Sequence, residues 1–384
     1  MNILIIPHSI WTGMPGRFDC FINRLKKRNH VHVLSWDMPY PLNFENLKNF
    51  RMACRKFRRK IEKNVMVHHV SRPLVFPPFN RNIVGKQIKD IIREYDIDVI
   101  FSESFLWDFV PPFDEVPVIY DMVDDHMAFF RNSSISGKFM SKFSRVEGAV
   151  IDQLRNADHT FFVSSVLKER YGDMTEYSSV LSNGVDLELF NGAEPTKYAA
   201  KLSLDNYDCI LGYVGYFGEW SNLFESVINL RNFLEKYNAA IIIAGMGPDV
   251  ERLKSTLKSE RLIFTGMMKP ESIPSLLKTL DIGLLPFKKS PYTDAASPIK
   301  YFEYAAAGLK VVSSNLEEVK RIKFVNTVFF EDINSIENAA KEALNMDFNK
   351  SELKKSLRPY DWGRLSKQLE NLMVGAYEHR GMGR

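Results

Sequence analysis

The stretch SPIKYFEYAAAG at residues 297–308 decides the fold of the second half of this chain. It follows DIGLLP at residues 281–286, which has the length and composition of a buried strand. Ser297 is a favoured N-cap residue, Pro298 is favoured at the first helical position, and Gly308 ends the helix. Another apolar strand is expected directly after Gly308. Strand, loop, helix and strand in this order indicate a parallel sheet with covering helices.

The beginning of this helix is a candidate binding site for a nucleoside diphosphate. Its free N–H groups and Lys300 would meet phosphate, and Glu303 would accept hydrogen bonds from ribose hydroxyls. The alternative is an ordinary capped amphipathic helix, on which Lys300 and Glu303 form an ion pair. The residues of the helix fit both interpretations.

Composition places the chain among soluble globular proteins. Its 384 residues allow two or three domains, and its net charge of +4 does not by itself indicate a nucleic-acid partner. The three cysteines lie far apart, without the spacing of a metal site or a disulfide framework. The first residues form a strand-like run rather than a signal peptide, so a cytoplasmic location is expected. No apolar stretch approaches the roughly 20 residues that span a bilayer.

A basic segment lies at residues 47–63 and predicts an amphipathic helix. Such a helix can lie on an anionic membrane surface, with Arg55, Arg58 and Arg59 as its contact residues. This interpretation predicts a peripheral protein on the inner face of the plasma membrane. The alternative is a solvated helix face without a partner.

The chain opens with a buried strand at residues 2–7, a loop at residues 8–17 that contains Gly13, Gly16 and Arg17, and a helix expected at residues 18–28. Open α/β sheets bind ligands at this carboxyl edge, so these three residues are candidates for a cleft. The spacing G-x-x-G is not the dinucleotide fingerprint G-x-G-x-x-G, so the loop gives little support for a dinucleotide cofactor.

A cluster of carboxylates follows the strand expected at residues 116–120. Asp121, Asp124 and Asp125 fall within six residues, together with a histidine. One of them could take a proton from an attacking hydroxyl if crowding and burial adjust its pKa. Alternatively, Asp124 or Asp125 caps the following helix. A metal site would need further ligands, and no ligand pattern supports one.

Both halves of the chain alternate strands and helices, which predicts two doubly wound parallel sheets of the α/β class. We expect domains at residues 1–186 and 187–359, with a C-terminal helix at 360–384 that packs back on the first domain. Two such domains facing a central cleft suit an enzyme with two substrates.

Six motifs, in their order and spacing, resemble GT-B glycosyltransferases over nearly the whole chain. The similarity is to family 4-like enzymes and to the bacterial group of teichuronic acid and xanthan glucuronosyltransferases. The motifs are SNGVD at 182–186, GYVGYFGEW at 212–220, IIIAGMGP at 241–248, FTG at 264–266, DIGLLPF at 281–287 and SPIKYFEYAAAG at 297–308.

The resemblance implies that the second domain binds a nucleotide sugar and that the first binds the acceptor. Asp124 is the implied catalytic base, with Asp121 and Asp125 as alternatives, and no metal is required. Gly13, Gly16 and Arg17 become acceptor-side candidates. The implied donor residues are Gly215 and Tyr216 beside the donor, Gly245 and Gly247 at the base pocket, Ser297, Pro298 and Lys300 at the diphosphate, and Glu303 at the ribose.

Two departures from the family pattern concern the mechanism. Glu219 and Trp220 replace the phosphate-binding Arg and Lys, and Ala295 replaces a glutamate eight positions before Glu303. A carboxylate base in the first domain would fit an inverting reaction.

The expected function is therefore transfer of a sugar from a nucleotide donor to a lipid-linked or polysaccharide acceptor in bacterial cell-envelope or exopolysaccharide synthesis. The donor is expected to be UDP-linked, with UDP-glucuronate as one candidate. The alternatives are a sugar-nucleotide 2-epimerase on the same fold and a non-catalytic nucleotide-sugar-binding protein.

Overall fold

The computed structural model describes residues 1–8, 16–36, 58–62, 65–70, 77–105, 115–132, 146–195 and 202–382. The chain divides into two compact units, Met1–Ser182 with Leu365–Arg384 and Asn183–Arg364. The division falls four residues before the boundary expected at residue 186. The reason is that Asn183 donates to the carbonyl oxygen of Ser297 over 2.6 Å, which ties the loop after residue 182 to the second unit.

The first unit contains an eight-stranded sheet in the order β3-β4-β2-β1-β5-β6-β7-β8, in which only β3 is antiparallel to its neighbour. Its strands are β1 (Asn2–Ile6), β2 (His30–Trp36), β3 (Arg58–Glu62), β4 (Val65–Val70), β5 (Val99–Ser102), β6 (Val118–Met122), β7 (His159–Phe162) and β8 (Ser178–Val180). Its helices are α1 (Arg17–Leu25), α2 (Pro77–Glu94), α3 (His126–Asn132), α4 (Val146–Asn156) and α5 (Ser165–Tyr171).

The order of this sheet places a switch point between β1 and β5. From β1 the chain proceeds to β2 on one side, whereas β5 and the later strands lie on the other side. Four of the five β1 residues are fully buried, as expected for an apolar central strand covered on both faces. The carboxyl ends of β1 and β5 form the edge where open α/β sheets bind ligands.

The predicted basic helix at residues 47–63 is wrong over Arg58–Glu62, because this segment is strand β3. It pairs antiparallel with β4, from Arg58 opposite His69 to Glu62 opposite Val65, and these ladder hydrogen bonds replace those of a helix. Arg58 and Arg59 lie in this strand, and Arg55 lies outside the described residues. Among the helices of the described ranges, none combines the length and the apolar character needed to cross a membrane.

The second unit contains a six-stranded parallel sheet in the order β11-β10-β9-β12-β13-β14. Its strands are β9 (Cys209–Tyr216), β10 (Ala239–Met246), β11 (Leu262–Gly266), β12 (Ile282–Leu285), β13 (Lys310–Ser314) and β14 (Thr327–Phe330). Its helices are α6 (Leu187–Asn191), α7 (Leu223–Lys236), α8 (Pro248–Thr256), α9 (Ile273–Leu277), α10 (Pro291–Asp294), α11 (Ile299–Ala307), α12 (Glu317–Ile322), α13 (Ile336–Asn345) and α14 (Lys350–Leu357).

The last helix, α15 (Trp362–Met382), begins in the second unit, and its residues from Leu365 onward belong to the first. There Glu370 accepts a 2.7 Å hydrogen bond from the side chain of Asn29.

The switch point of the second sheet lies between β9 and β12, and Tyr304 of α11 shapes it. The β9–β12 ladder contains only two residue pairs, which involve Ile282 and Gly283. Beyond them, the N–H of Val214 donates to the Tyr304 hydroxyl over 3.2 Å. A Cβ at Gly283 would lie 2.5 Å from the ring of Tyr304, so the glycine allows this ring to pack against β12. Tyr304 thereby anchors α11 at the switch point.

Candidate functional site

Three glycines bring the backbone close together at the carboxyl ends of β9 and β10. Gly215, Gly245 and Gly247 have φ values of 134°, 141° and 149°, which L side chains rarely adopt. A Cβ at Gly245 would lie 1.8 Å from the carbonyl oxygen of Gly215. A Cβ at Gly215 would lie 2.4 Å from Cε of Lys300. These glycines therefore allow the ends of β9 and β10 and the side chain of Lys300 to pack closely together at this edge of the sheet.

Helix α11 begins one residue later than the sequence predicted. Pro298 is the N-cap, with extended backbone angles, and Ile299 is the first helical residue. Ser297 is not the cap, because its hydroxyl accepts a 3.3 Å hydrogen bond from the N–H of Asn183. The cap carries no side-chain hydrogen bond, so the first N–H groups of this nine-residue helix are not satisfied by a capping side chain.

Lys300 and Glu303 lie half-buried in the first turns of α11. Burial lowers the pKa of Lys300, although the charge of Glu303 opposes the shift. Burial raises the pKa of Glu303 to about 7, although the charge of Lys300 opposes it. Within the described residues neither side chain forms a hydrogen bond or an ion pair, so the ion pair proposed as the alternative is absent. Two ionisable side chains at a switch point, without a hydrogen-bond or ion-pair partner among the described residues, are available to a ligand.

Aromatic rings surround the ammonium group of Lys300. Its Nζ lies 5.8 Å from the ring centroid of Trp220 and 5.8 Å from that of Phe287. Trp220 occupies one of the positions at which the family pattern has a basic residue. Both rings attract the ammonium group of Lys300 through cation–π contacts, which hold it at the carboxyl edge of the sheet and leave its charge in place.

Exposed apolar side chains end the neighbouring strands of this sheet. Tyr216 is 56% exposed at the end of β9, and Met246 is 50% exposed opposite it at the end of β10. Met267, directly after β11, is 58% exposed. Such side chains suit contact with a flat ring. The sequence analysis missed both methionines, although each lies beside a glycine at the end of a strand.

In the first unit, Asp121 and Arg17 form a buried ion pair. Nε of Arg17 lies 2.7 Å from Oδ2 of Asp121 and Nη2 lies 3.1 Å from Oδ1. Arg17 also donates to the carbonyl oxygens of Leu181 and Ser182, over 2.5 and 2.8 Å. Burial raises the pKa of Asp121 to about 6, against the opposing charge of Arg17. The pair ties β6 to the end of β8, and the roles of Asp121 as a base and Arg17 as a cleft residue stay predictions.

Asp125 is also occupied by structural contacts. Its Oδ1 accepts from the N–H of Ala128 over 2.9 Å, which caps α3. Its Oδ2 accepts from Arg170 over 2.9 Å, and the hydroxyl of Tyr171 donates to both oxygens. Capping, the alternative stated for this residue, is the correct interpretation. Asp124 lies half-buried in the turn between β6 and α3.

Two glycines are the remaining candidates of the first loop. Gly13 lies outside the described residues. Gly16 is the N-cap of α1 in an extended conformation, and its N–H donates to Oδ2 of Asp19 over 3.0 Å. Gly16 therefore begins the helix that carries Arg17.

A histidine and a glutamate that the sequence analysis missed lie at the switch point of the first sheet. His8 follows β1 and Glu103 follows β5, and Nδ1 of His8 lies 3.2 Å from Oε2 of Glu103. Glu103 is 1% exposed, and its Oε1 has no hydrogen-bond partner among the described residues. Burial acts to lower the pKa of His8, but the hydrogen bond and charge of Glu103 and the charges of Asp124 and Asp121 raise it. The available signal was a polar residue within two positions of the end of each of two central strands.

Metal ligation is not a feature of the described residues. Within those ranges no group of three or more His, Cys, Asp or Glu side chains is placed to hold an ion.

Comparison with protein families identifies residues 208–346 as matching the family model "Glycosyl transferases group 1". The matched segment contains the glycines at 215, 245 and 247 and α11. A relative in Bacillus subtilis (strain 168), TuaH, is assigned to teichuronic acid biosynthesis as a glycosyltransferase, and it is 29% identical over 236 residues. That match covers 58% of this chain and 55% of the relative, so the chain spans about half the length of the curated relative it matches.

Comparison with solved structures shows the GT-B fold. Sucrose-phosphate synthase from Thermosynechococcus elongatus superposes with a TM-score of 0.74 at 12% identity, covering 99% of this chain and 100% of that chain. Anabaena Alr3699/HepE in complex with UDP has a TM-score of 0.65 at 15% identity, covering 98% and 100%. An E. coli trehalose-6-phosphate structure bound with UDP-2-fluoro glucose has a TM-score of 0.69 at 12% identity, covering 97% and 98%. At these identities the likeness concerns the fold alone.

Proposed function

We infer that this chain, which carries a group 1 glycosyl transferase domain at residues 208–346 within a GT-B fold, transfers a sugar from a nucleotide-sugar donor to an acceptor hydroxyl. One observation carries the proposal. Lys300 and Glu303 lie half-buried at the start of α11 without a hydrogen-bond or ion-pair partner among the described residues, beside glycines at which the ends of β9 and β10 pack closely. Half-buried charges of this kind are costly unless a ligand completes them.

The donor would be held by its diphosphate and its ribose. The N–H groups at the start of α11 and the ammonium group of Lys300 would bind phosphate oxygens. Glu303, one turn further along the helix, would accept hydrogen bonds from the ribose hydroxyls. The close packing at the glycines 215, 245 and 247 would hold the ends of β9 and β10 and Lys300 in place at the donor site, and Tyr216 would lie beside the donor.

We propose a UDP-linked donor, with UDP-glucuronate among the candidates. Two of the similar structures were solved with UDP or a UDP-sugar analogue, which supports this choice without naming the sugar. We propose further that transfer needs no metal, because the helix N-terminus and Lys300 can stabilise the charge that develops on the leaving diphosphate.

The acceptor would be a lipid-linked intermediate or a polysaccharide of the bacterial cell envelope. The relative assigned to teichuronic acid biosynthesis supports this class of acceptor.

Attachment to the inner face of the plasma membrane through the basic segment also stays a proposal. Neutralising Arg55, Arg58 and Arg59 together should weaken binding to vesicles that contain anionic lipid at low salt. Unchanged vesicle binding would exclude this role.

Thermal unfolding in the presence of UDP, GDP, ADP, CMP or NAD, each in excess, tests the proposal. A ligand at about 100 times its dissociation constant adds about 2.7 kcal/mol to the free energy of unfolding. For a unit of this size, this corresponds to an increase in Tm of about 5–10 °C. One nucleoside diphosphate should raise the Tm and NAD should not. A shift with NAD alone, or with no nucleotide, would refute the donor assignment.

Donor turnover then separates the proposed transferase from its rivals. Conversion of the nucleotide sugar to an isomer in the absence of any acceptor would indicate a 2-epimerase. Binding of nucleotide sugars without turnover of any of them, with or without an acceptor present, would indicate a non-catalytic binding protein.

A further inference from the structure

An asparagine of the second unit holds the backbone just before α11. Nδ2 of Asn183 donates to the carbonyl oxygen of Ser297 over 2.6 Å, and the N–H of Asn183 donates to the Ser297 hydroxyl over 3.3 Å. We infer that Asn183 is a positioning residue of the diphosphate site, which orients the first N–H groups of α11 and keeps them open to phosphate. This inference rests on the proposed function and involves residues of the second unit alone.

The hydroxyl of Ser297 is diverted from capping the helix. A serine at the N-cap accepts hydrogen bonds from N–H groups of the first helical turn. Here the N-cap is Pro298, which forms no side-chain cap, and the Ser297 oxygen accepts from Asn183 instead. The N–H groups of Ile299 and Lys300 are the first two of the helix, where an α-helix supplies no carbonyl acceptor. Donors in this position favour an anion.

The bond to the Ser297 carbonyl oxygen restrains the direction in which the helix begins. A peptide unit is planar, so a bond that holds this oxygen also restrains the plane that contains the nitrogen and Cα of Pro298. The ring of Pro298 fixes its φ, which is −68°. Only ψ of Pro298, which is 119°, then remains between this plane and the N–H of Ile299. Asn183 therefore acts on the first phosphate donors through a single free torsion angle.

Asn183 is a firm support because the segment that follows it is itself fixed within the second unit. The N–H of Val185 donates to the carbonyl oxygen of Tyr360 over 2.9 Å, and the carbonyl oxygen of Val185 accepts from the N–H of Trp362 over 3.1 Å. The ring of Tyr360 packs against that of Phe302 in α11 at a centroid distance of 4.9 Å. This segment and α11 are thus held against the same short stretch of chain.

The chemistry of an amide suits this role. Its NH₂ group donates to a carbonyl oxygen without adding charge, whereas a carboxylate would repel both the carbonyl oxygen and the phosphate. A lysine or arginine at the same position would bind phosphate itself. Ser297 is only 4% exposed, so its carbonyl group needs a protein partner. Asn183 thereby fixes the geometry and leaves the charge of the site to Lys300 and the helix.

A pair of asparagine variants tests the inference. Titration calorimetry measures the affinity of the wild type, Asn183→Leu and Asn326→Leu for UDP, or for whichever nucleoside diphosphate raises the Tm most, and urea unfolding measures their stability. Leucine has nearly the shape of asparagine and cannot donate. Asn326 is the matched control, because its Nδ2 donates to the carbonyl oxygen of Leu309 in the same unit, also over 2.6 Å. Both substitutions should lower the urea midpoint.

Only the change at residue 183 should weaken nucleotide binding. Asn183→Leu should raise the dissociation constant about tenfold, as expected when about one hydrogen bond to a charged group is lost, and Asn183→Ala should act similarly. Asn326→Leu should stay within twofold of the wild type. An unchanged affinity in Asn183→Leu, or an equal loss in both leucine variants, would overturn the inference. A wild type that binds none of UDP, GDP, ADP and CMP would instead refute the proposed function.

An NMR signature separates positioning from a general loss of stability. With ¹⁵N-labelled isoleucine and lysine, the amide proton signals of Ile299 and Lys300 should move to lower field when the nucleotide binds, because these groups donate to phosphate. In Asn183→Leu saturated with nucleotide this movement should be smaller, and in Asn326→Leu it should equal that of the wild type. Asn183 is half-buried, so both of its variants should fold. Equal movement in Asn183→Leu and the wild type would contradict the positioning role.

Discussion

Replacement of Lys300 by methionine should weaken nucleotide binding and at the same time stabilise the free protein. Lys300 is a half-buried ammonium group without a hydrogen-bond or ion-pair partner among the described residues. In the folded state burial lowers its pKa, so the fold disfavours the charged form. This penalty is present wherever the folded state keeps the lysine charged, and it is lost as the pH rises through the lowered pKa toward that of the unfolded chain.

The expected magnitudes follow from what the methionine removes and what it retains. A hydrogen bond to a charged group contributes about 1.5–3 kcal/mol, so the loss of the ammonium–phosphate contact should weaken UDP binding about 10- to 150-fold. Methionine keeps an unbranched side chain beside the rings of Trp220 and Phe287, where sulfur–aromatic contact offsets the lost cation–π attraction. Removal of the unpaired charge should raise the free energy of unfolding by about 1 kcal/mol.

Urea unfolding at pH 7 and titration calorimetry with UDP measure the two effects on the same preparations. Lys310→Met is the matched control, because Lys310 is a half-buried lysine of the same unit that donates to the carbonyl oxygen of Leu344 over 2.6 Å. This control should lose stability and retain UDP affinity. If Lys300→Met is destabilised like Lys310→Met and binds UDP as the wild type does, Lys300 has a structural role and the reasoning is refuted.

Three further changes test the geometry around this site. Gly245→Ala should lower the free energy of unfolding by more than about 3 kcal/mol, because its Cβ would lie 1.8 Å from a backbone oxygen. Gly266→Ala is the control: its φ is 68° but no atom lies within 4 Å of the added Cβ, so it should cost only about 1 kcal/mol. The urea midpoints of the two variants measure the difference. Tyr304→Phe should lower the free energy of unfolding by about 1–3 kcal/mol, because the N–H of Val214 loses its acceptor, and equal midpoints would contradict this. Burial raises the pKa of Glu303 from 4.5 to about 7, so the folded state holds a proton that the unfolded chain releases, and stability should fall by about 1–2 kcal/mol between pH 5 and 8. Glu303→Gln should remove that part of the pH dependence, and an unchanged slope would show that Glu303 does not titrate in this range.

The sheets were predictable because their strands carry local signals. Apolar runs such as residues 2–7 and 281–286 indicate buried parallel strands, and Gly308 marks the end of α11 through its left-handed conformation. The helix predicted at residues 47–63 failed over Arg58–Glu62 for a non-local reason. Pairing with β4 determines the structure of that segment, and local pattern does not report on a partner strand.

The roles of the carboxylates were less predictable, because they depend on partners distant in sequence. Asp121 is neutralised by Arg17, which lies 104 positions away, and His8 meets Glu103 across 95 positions. Spacing within the run from Asp121 to Asp125 therefore could not distinguish a base from an ion-pair member or a helix cap. On the donor side, Lys300 and Glu303 were identifiable from one short motif because a single helix carries both.

The central claim is that α11 of the second unit holds a nucleoside diphosphate through Lys300 and Glu303. A crystal structure of the chain with bound UDP, or with whichever nucleoside diphosphate gives the largest thermal shift, tests it most directly. We expect Nζ of Lys300 within about 3 Å of a phosphate oxygen, and the carboxylate of Glu303 at a similar distance from a ribose hydroxyl. A nucleotide bound elsewhere in the chain, or bound at α11 with Lys300 and Glu303 both out of contact, would contradict the account.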